Sequence, residues 1–328
     1  MLSFIIRRIL FMIPTMIVIS LVAFIVIQLP PGDFLTALTA EKAAQNEVLD
    51  NSVVLALRAQ YGLDQPWYMQ YWYWISGIVL RGDFGQSFQW NMPVSGLIWA
   101  RLGLTLIVSV TTLIFVWLLS FPIGVYSAAR QHSVGDLVAT FFGFLGLAIP
   151  NFLLALILMY IASRYFGAGV GGLFSPAYSN AEWSWGRVLD LVKHLWLPVI
   201  VLGSSGMAAL IRIMRANLLD ELNKPYVEMA RSRGVHEMKL LMKYPVRVAL
   251  NPFVSTIGWV LPALISGETI TSIVLNLPTA GPLLLKALFA QDMYLAGGLI
   301  LLLSGLTLVG TLLSDILLAV LDPRIRYR

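Results

Sequence analysis

Long apolar runs alternate with short polar stretches along this chain, and the pattern predicts an all-α protein with six membrane-spanning helices. Runs at about 9–29, 102–126, 137–163, 195–213, 252–275 and 293–320 are each long enough to cross a hydrocarbon core of about 30 Å. Pro30, Pro31 and Gly32 end the first run, because proline lacks a donor and glycine frees the backbone. A long mixed segment, 30–100, follows. It holds a polar helical run at 41–60 and the aromatics Trp67, Tyr68, Tyr71, Trp72, Tyr73 and Trp74. That cluster fits a belt along lipid headgroups; sugar stacking or partner binding is the sharper alternative. A surface or re-entrant helix is predicted at 185–193. The next span is rich in small residues from Gly203 to Ala209, which permit close helix approach.

The polar stretch 212–250 has helical grammar of its own. Pro225 suits a first turn, where its missing N–H would be unpaired anyway. Glu228 stands near that N-terminus, where negative charge is favoured. Gly234 offers a stop, since it tolerates a left-handed backbone. A second helix is predicted from Val235 toward Lys243.

Charge then orients the pattern. Arg212, Arg215, Lys224, Arg231, Arg233, Lys239, Lys243 and Arg247 all fall in this loop. Basic short loops face the cytoplasm. Arg7 and Arg8 before the first span and the basic end of the chain place both termini there too. The expected organisation is a first transmembrane helix at 1–29, a periplasmic segment at 30–100, and a five-helix core at 101–328 containing the loop 212–250.

Composition agrees with a membrane protein. Of 328 residues, 58% are hydrophobic and 12% charged, about half the charged share of ordinary soluble domains. Mean hydropathy is +0.80. The net charge of +5 comes from cations gathered in loops on one side, so it does not suggest nucleic acid. No cysteine is present, which excludes disulfides and thiolate metal sites. His132, His194 and His236 are too dispersed to suggest a ligand pair. No cleavable leader is expected, as the first run is too long and lacks a small-residue cleavage site.

Three places inside spans carry candidate chemistry. Pro150 and Asn151 fall mid-span, and a proline there frees a carbonyl that protein or a watery cavity must satisfy. They are candidates for a translocation path; a packed kink with Asn151 bonded to a neighbouring helix is the alternative. Pro262 interrupts the fifth span. Glu268 beyond it is a candidate because acids within spans tend to be functional. It lies about 16 residues into its run, roughly 24 Å, so it can also be an acid wetted at the outer interface.

Several motifs carry a resemblance. Glu228-Met229-Ala230 with Gly234 four residues after the alanine resembles the EAA signature of ABC-importer membrane subunits. PPGD, YGLDQPWYMQY, RGDFGQSF, AIPNF, SGETI, AQDMYLAGGL and DPRIRY extend the likeness over essentially the whole chain. The chain is similar to B-type permeases of the dipeptide, oligopeptide and nickel importers. Two positions depart: Met229 stands where the signature has alanine, and Pro278-Thr279-Ala280-Gly281 replaces the usual Pro-Gly-Leu-Gly.

The resemblance implies type-I ABC-importer topology in the bacterial inner membrane and alternating access. It implies ATPase coupling at Pro225, Tyr226, Glu228, Ala230, Arg231 and Gly234. It also implies a second homologous permease subunit, two ATPase subunits that bind ATP and Mg²⁺, and a periplasmic substrate-binding protein. No cofactor, metal site or catalytic residue is expected in this chain, which lacks a phosphate-binding Gly-Lys loop. Small peptides are the expected cargo, with oligosaccharides or a metal chelate as alternatives. A stand-alone secondary transporter would want ionisable groups at the span centres. A membrane enzyme would need a nucleophile and base together.

Overall fold

In a computed structural model, the structure describes residues 2–30, 32, 34–44, 51–60, 62–166, 171–179, 181–266 and 269–321. Every regular element among them is helical. Four helices are long and apolar enough to cross a membrane: α1 (Leu2–Gln28), α5 (Val94–Ala129), α8 (Trp185–Leu222) and α15 (Met293–Leu321). A fifth span arises if α6 (Val134–Ala148) and α7 (Asn151–Phe166) are taken together, although they meet at 105°.

The bend at Pro150 is sharper than a kink. Ile149, just before the proline, is extended at φ −90° and ψ 120°. Proline disfavours the helical region for its predecessor, so α6 has to stop there. The predicted fifth span is also not one helix. It breaks at Thr256, between α11 (Pro245–Ser255) and α12 (Ile257–Ser266), and α13 (Thr269–Val274) is helical beyond 267–268, which lie outside the described residues. Pro252 removes one donor inside α11, and that helix ends three residues later. Conversely, the helix predicted at 185–193 and the span at 195–213 are one helix, α8. The Ser184 hydroxyl caps its start by accepting the Arg187 N–H at 3.3 Å. At 38 residues, α8 is about 57 Å long and exceeds a bilayer core.

The chain forms two units. The larger comprises Leu106–Leu277 with Met1–Arg7 and Val309–Arg328. Its core is built where α8 meets α11 and α5. Leu210, Met214 and Leu218 share one face of α8 at four-residue spacing and pack on Val246, Ala249 and Phe253 of α11 and on Val116 of α5. The Trp117 and Phe253 rings lie 4.9 Å apart. The small residues of α8 serve close packing within the chain: a Cβ on Gly146 of α6 would come within 3.1 Å of the Ser204 carbonyl.

The smaller unit comprises Arg8–Thr105 and Pro278–Leu308. It contains α2 (Phe34–Ala44), α3 (Asn51–Gln60), α4 (Trp67–Arg81) and α14 (Ala280–Phe289). The aromatic cluster lies on α4 and divides by face. Trp74 is buried and stacks near Phe24, while the Tyr71 hydroxyl lies 2.9 Å from the Ser20 hydroxyl. Trp67, Tyr68, Trp72 and Tyr73 are exposed. Asp292 is fully buried before α15; it accepts the Ser87 hydroxyl at 2.5 Å and the N–H groups of Gln89 and Leu295, each at 3.2 Å.

Candidate functional site

Within the polar stretch the predicted short helix is α9 (Pro225–Ser232); after a turn the second helix, α10 (Glu237–Lys243), starts two residues later than the predicted Val235, while 212–222 continue α8 and α11 begins already at Pro245. Pro225 opens α9, Glu228 stands in its first turn, and Gly234 takes a left-handed φ of +77°. Val227, Ala230 and Leu240 are buried together, with Val235 and Tyr244 packed against them. This small core fixes α9 to α10, so Ala230 points inward and supports the loop.

Polar contacts fix the rest. The Tyr226 hydroxyl donates to the Glu221 carboxylate of α8 at 2.5 Å. Burial, and then that carboxylate, push the phenol well above its ordinary pKa. Arg231 donates to Glu237 at the start of α10, from Nε at 3.0 Å and from a terminal nitrogen at 2.6 Å. The guanidinium holds the Glu237 carboxyl below the usual carboxylate range. Both groups are exposed, so the pair adds orientation more than stability. Glu228 and Met229 on α9, and Arg233 just after it, are left exposed. Met229 is 56% exposed, so the departure from alanine changes the presented surface and leaves the packing intact. The result is a short braced helix offering an acid, a thioether and a cation.

The pathway candidates are separate from this loop. Asn151 opens α7 and makes long contacts to α8: its amide nitrogen lies 3.4 Å from the Ser205 hydroxyl, and its oxygen accepts from Ser204 at 3.4 Å. Pro150 is exposed at the break. Pro262 falls within α12, where its side chain lies outside the described residues, and Glu268 lies outside them altogether. A cavity of about 450 Å³ lies between α5, α6 and α8. Its walls include Pro122, Tyr126, Val138, Phe142, Met207 and Ile211, so it is mainly apolar. Among the described residues, no group of three His, Cys, Asp or Glu side chains is placed to hold a metal.

Residues 120–327 match the family described as "Binding-protein-dependent transport system inner membrane component". Residues 1–111 match the N-terminal model of the same kind of membrane component. The chain belongs to this family. It is thus a multi-pass inner-membrane permease component of an ABC transport system, a class whose working implies ATPase and binding-protein partners. Among its relatives is the oligopeptide transport system permease protein AppB of Bacillus subtilis (strain 168), 36% identical over 100% of both chains. The dipeptide transport system permease protein DppB of Escherichia coli (strain K12) is 30% identical, again over 100% of both. The glutathione transport system permease protein GsiC of Salmonella choleraesuis (strain SC-B67) is likewise 30% identical over 100% of both.

One polar site of the permease was missed from sequence. Asp136 in the first turn of α6 is paired with Arg215 of α8. Ser133-x-x-Asp136 carried a local capping signal, and the Ser133 hydroxyl does accept the Asp136 N–H. The partner 79 residues on had no signal of its own among eight basic residues of one loop.

Proposed function

We propose that this permease is the membrane subunit of an ATP-driven importer of small peptides, working by alternating access. Its α9, with Arg233 just after it, seats on an ATPase subunit through Glu228, Met229 and Arg233. Pro225, Tyr226, Ala230, Arg231 and Gly234 hold that helix in shape and tie it to α8 and α10. The observation that carries the reading is the bracing of α9 by Tyr226–Glu221 and Arg231–Glu237, because a helix so held passes a displacement on to α8. The proposed topology has six spans, the bent α6–α7 pair and the α11–α13 series each completing one. Both termini and 212–250 are cytoplasmic, and 30–100 is external. A second permease, two ATPase subunits binding ATP and Mg²⁺, and a periplasmic binding protein complete the assembly. Peptide cargo is favoured by the relatives named for oligopeptide, dipeptide and glutathione transport. The path runs past Pro150, Asn151, Pro262 and Glu268.

Reconstitution of the full assembly in proteoliposomes tests this. Labelled di- and oligopeptides are expected to accumulate only with ATP and the binding protein present. Accumulation of an oligosaccharide or metal chelate instead would replace the cargo and keep the machinery. Uptake by the chain alone under an ion gradient would overturn both.

A further inference from the structure

Asp136 is 2% exposed although it stands at the very start of α6. Several groups converge on its carboxylate. Arg215 of α8 donates from Nε to one oxygen and from a terminal nitrogen to the other, each at 3.0 Å. The Ser127 hydroxyl, from the last turn of α5, donates to the first oxygen. The His132 backbone N–H donates to the second at 2.9 Å. One carboxylate therefore gathers the end of α5, the following turn, the start of α6 and α8. A planar, two-point guanidinium contact fixes orientation as well as distance.

The surroundings set what that contact adds to how α6 moves. Beyond the pair, an apolar cavity opens between α5, α6 and α8, lined by Val138, Phe142, Met207 and Ile211 among others. Along its other edge α6 packs on α8 through small residues, Gly143 beside Ala208 and Gly146 beside the Ser204 carbonyl, contacts that set the distance between the helices but carry no directional polar bond. On the other side, Arg215 lies seven residues before Leu222, about two turns from the end of α8. Tyr226 of α9 is bonded to Glu221 in that same final turn. A displacement of α9 enters α8 at Glu221 and reaches α6 first at Arg215.

We propose that the Asp136–Arg215 pair is a positioning clamp that makes the bent α6–α7 span follow α8, and hence the docking helix. It rests on the reading of α9 as the ATPase-docking element. Neither residue touches ATP or cargo. With the clamp open, α8 slides or turns on α6 and passes on less of its displacement, and hydrolysis proceeds while less cargo crosses per ATP.

The absence of cysteine makes a clean test available. Asp136→Asn, Arg215→Lys and the pair Asp136→Cys with Arg215→Cys are reconstituted with the partner subunits and binding protein. Uptake and ATP hydrolysis are measured on the same vesicles. Asp136→Asn and the unlinked cysteine pair are expected to lower uptake per ATP roughly tenfold, within the usual range of coupling factors. Hydrolysis stimulated by the binding protein is retained. Arg215→Lys, which keeps the charge but loses the two-point contact, is expected to fall between. A short, cleavable bis-thiosulfonate linker across the cysteines should restore the ratio, and cleaving it should remove the gain. A wild-type ratio in Asp136→Asn and in Arg215→Lys overturns the clamp. So does a parallel fall of both activities at constant ratio, which is what a merely structural role produces, or a linked pair that hydrolyses ATP without regaining uptake. If the unaltered assembly shows no ATP-driven uptake, the docking reading of α9 fails instead.

Discussion

Gly234 turns the chain just after α9 with a φ of +77°, and a Cβ built there would meet nothing within 4 Å. The cost of replacing it is therefore backbone strain alone, roughly 1–2 kcal/mol for an ordinary residue. Asparagine tolerates this conformation better than alanine, and valine tolerates it least. Amide exchange across 225–234 is expected to quicken in the order Gly, Asn, Ala, Val. Equal protection in all four would mean that the turn is not set by this residue. Glu228 poses a different question. It is exposed on α9, so reversing its charge leaves the Val227–Ala230–Leu240 core untouched. Glu228→Arg is expected to preserve assembly and lower uptake per ATP about tenfold, measured in proteoliposomes. Unchanged uptake would remove Glu228 from the docking surface.

At the level of elements, what could be read depended on whether the signal was local. The helix from Pro225 to the turn at Gly234 was legible because opening proline, first-turn acid and left-handed stop lie within ten positions. The length of α8 was not: the predicted boundary between 193 and 195 falls inside one helix, where the His194 ring lies 2.7 Å from the Asp190 carbonyl one turn back. Nor was the break between α11 and α12, because hydropathy persists across breaks that prolines and tertiary packing impose. Asp292 shows the same limit at a helix start. Its acceptors serve Ser87 and Gln89, two hundred residues earlier, as well as Leu295. Asp292→Asn would aim an amide N–H₂ at a site that receives donors, at a cost of about 1–3 kcal/mol. The variant is expected to unfold at a lower temperature, with the buried Trp74 of the same unit reporting by fluorescence. An unchanged midpoint would show that the cap is dispensable.

For the whole molecule, the proposed topology makes the sidedness of two surfaces interdependent. The eight cations of 212–250 place α9 inside by the positive-inside rule, while the charges of the first external segment weigh little because that segment is long. If α9 faces the cytoplasm, the end of α8 does too, and so does the α5–α6 turn, because Asp136 and Arg215 bind the two together. That constraint comes from an ion pair whose carboxylate is buried and is independent of the charge rule. A chain free of cysteine allows single cysteines at exposed positions to test it: Gln131 in the α5–α6 turn, Arg233 after α9, and Asp64 before α4. In intact cells, an impermeant maleimide is expected to label Asp64→Cys alone. Gln131→Cys and Arg233→Cys should react once the membrane is opened. Labelling of Arg233→Cys from outside would reverse the loop and with it the docking proposal. Opposite sidedness for Gln131→Cys and Arg233→Cys would do more, because no single orientation of the paired α6 and α8 ends could then stand.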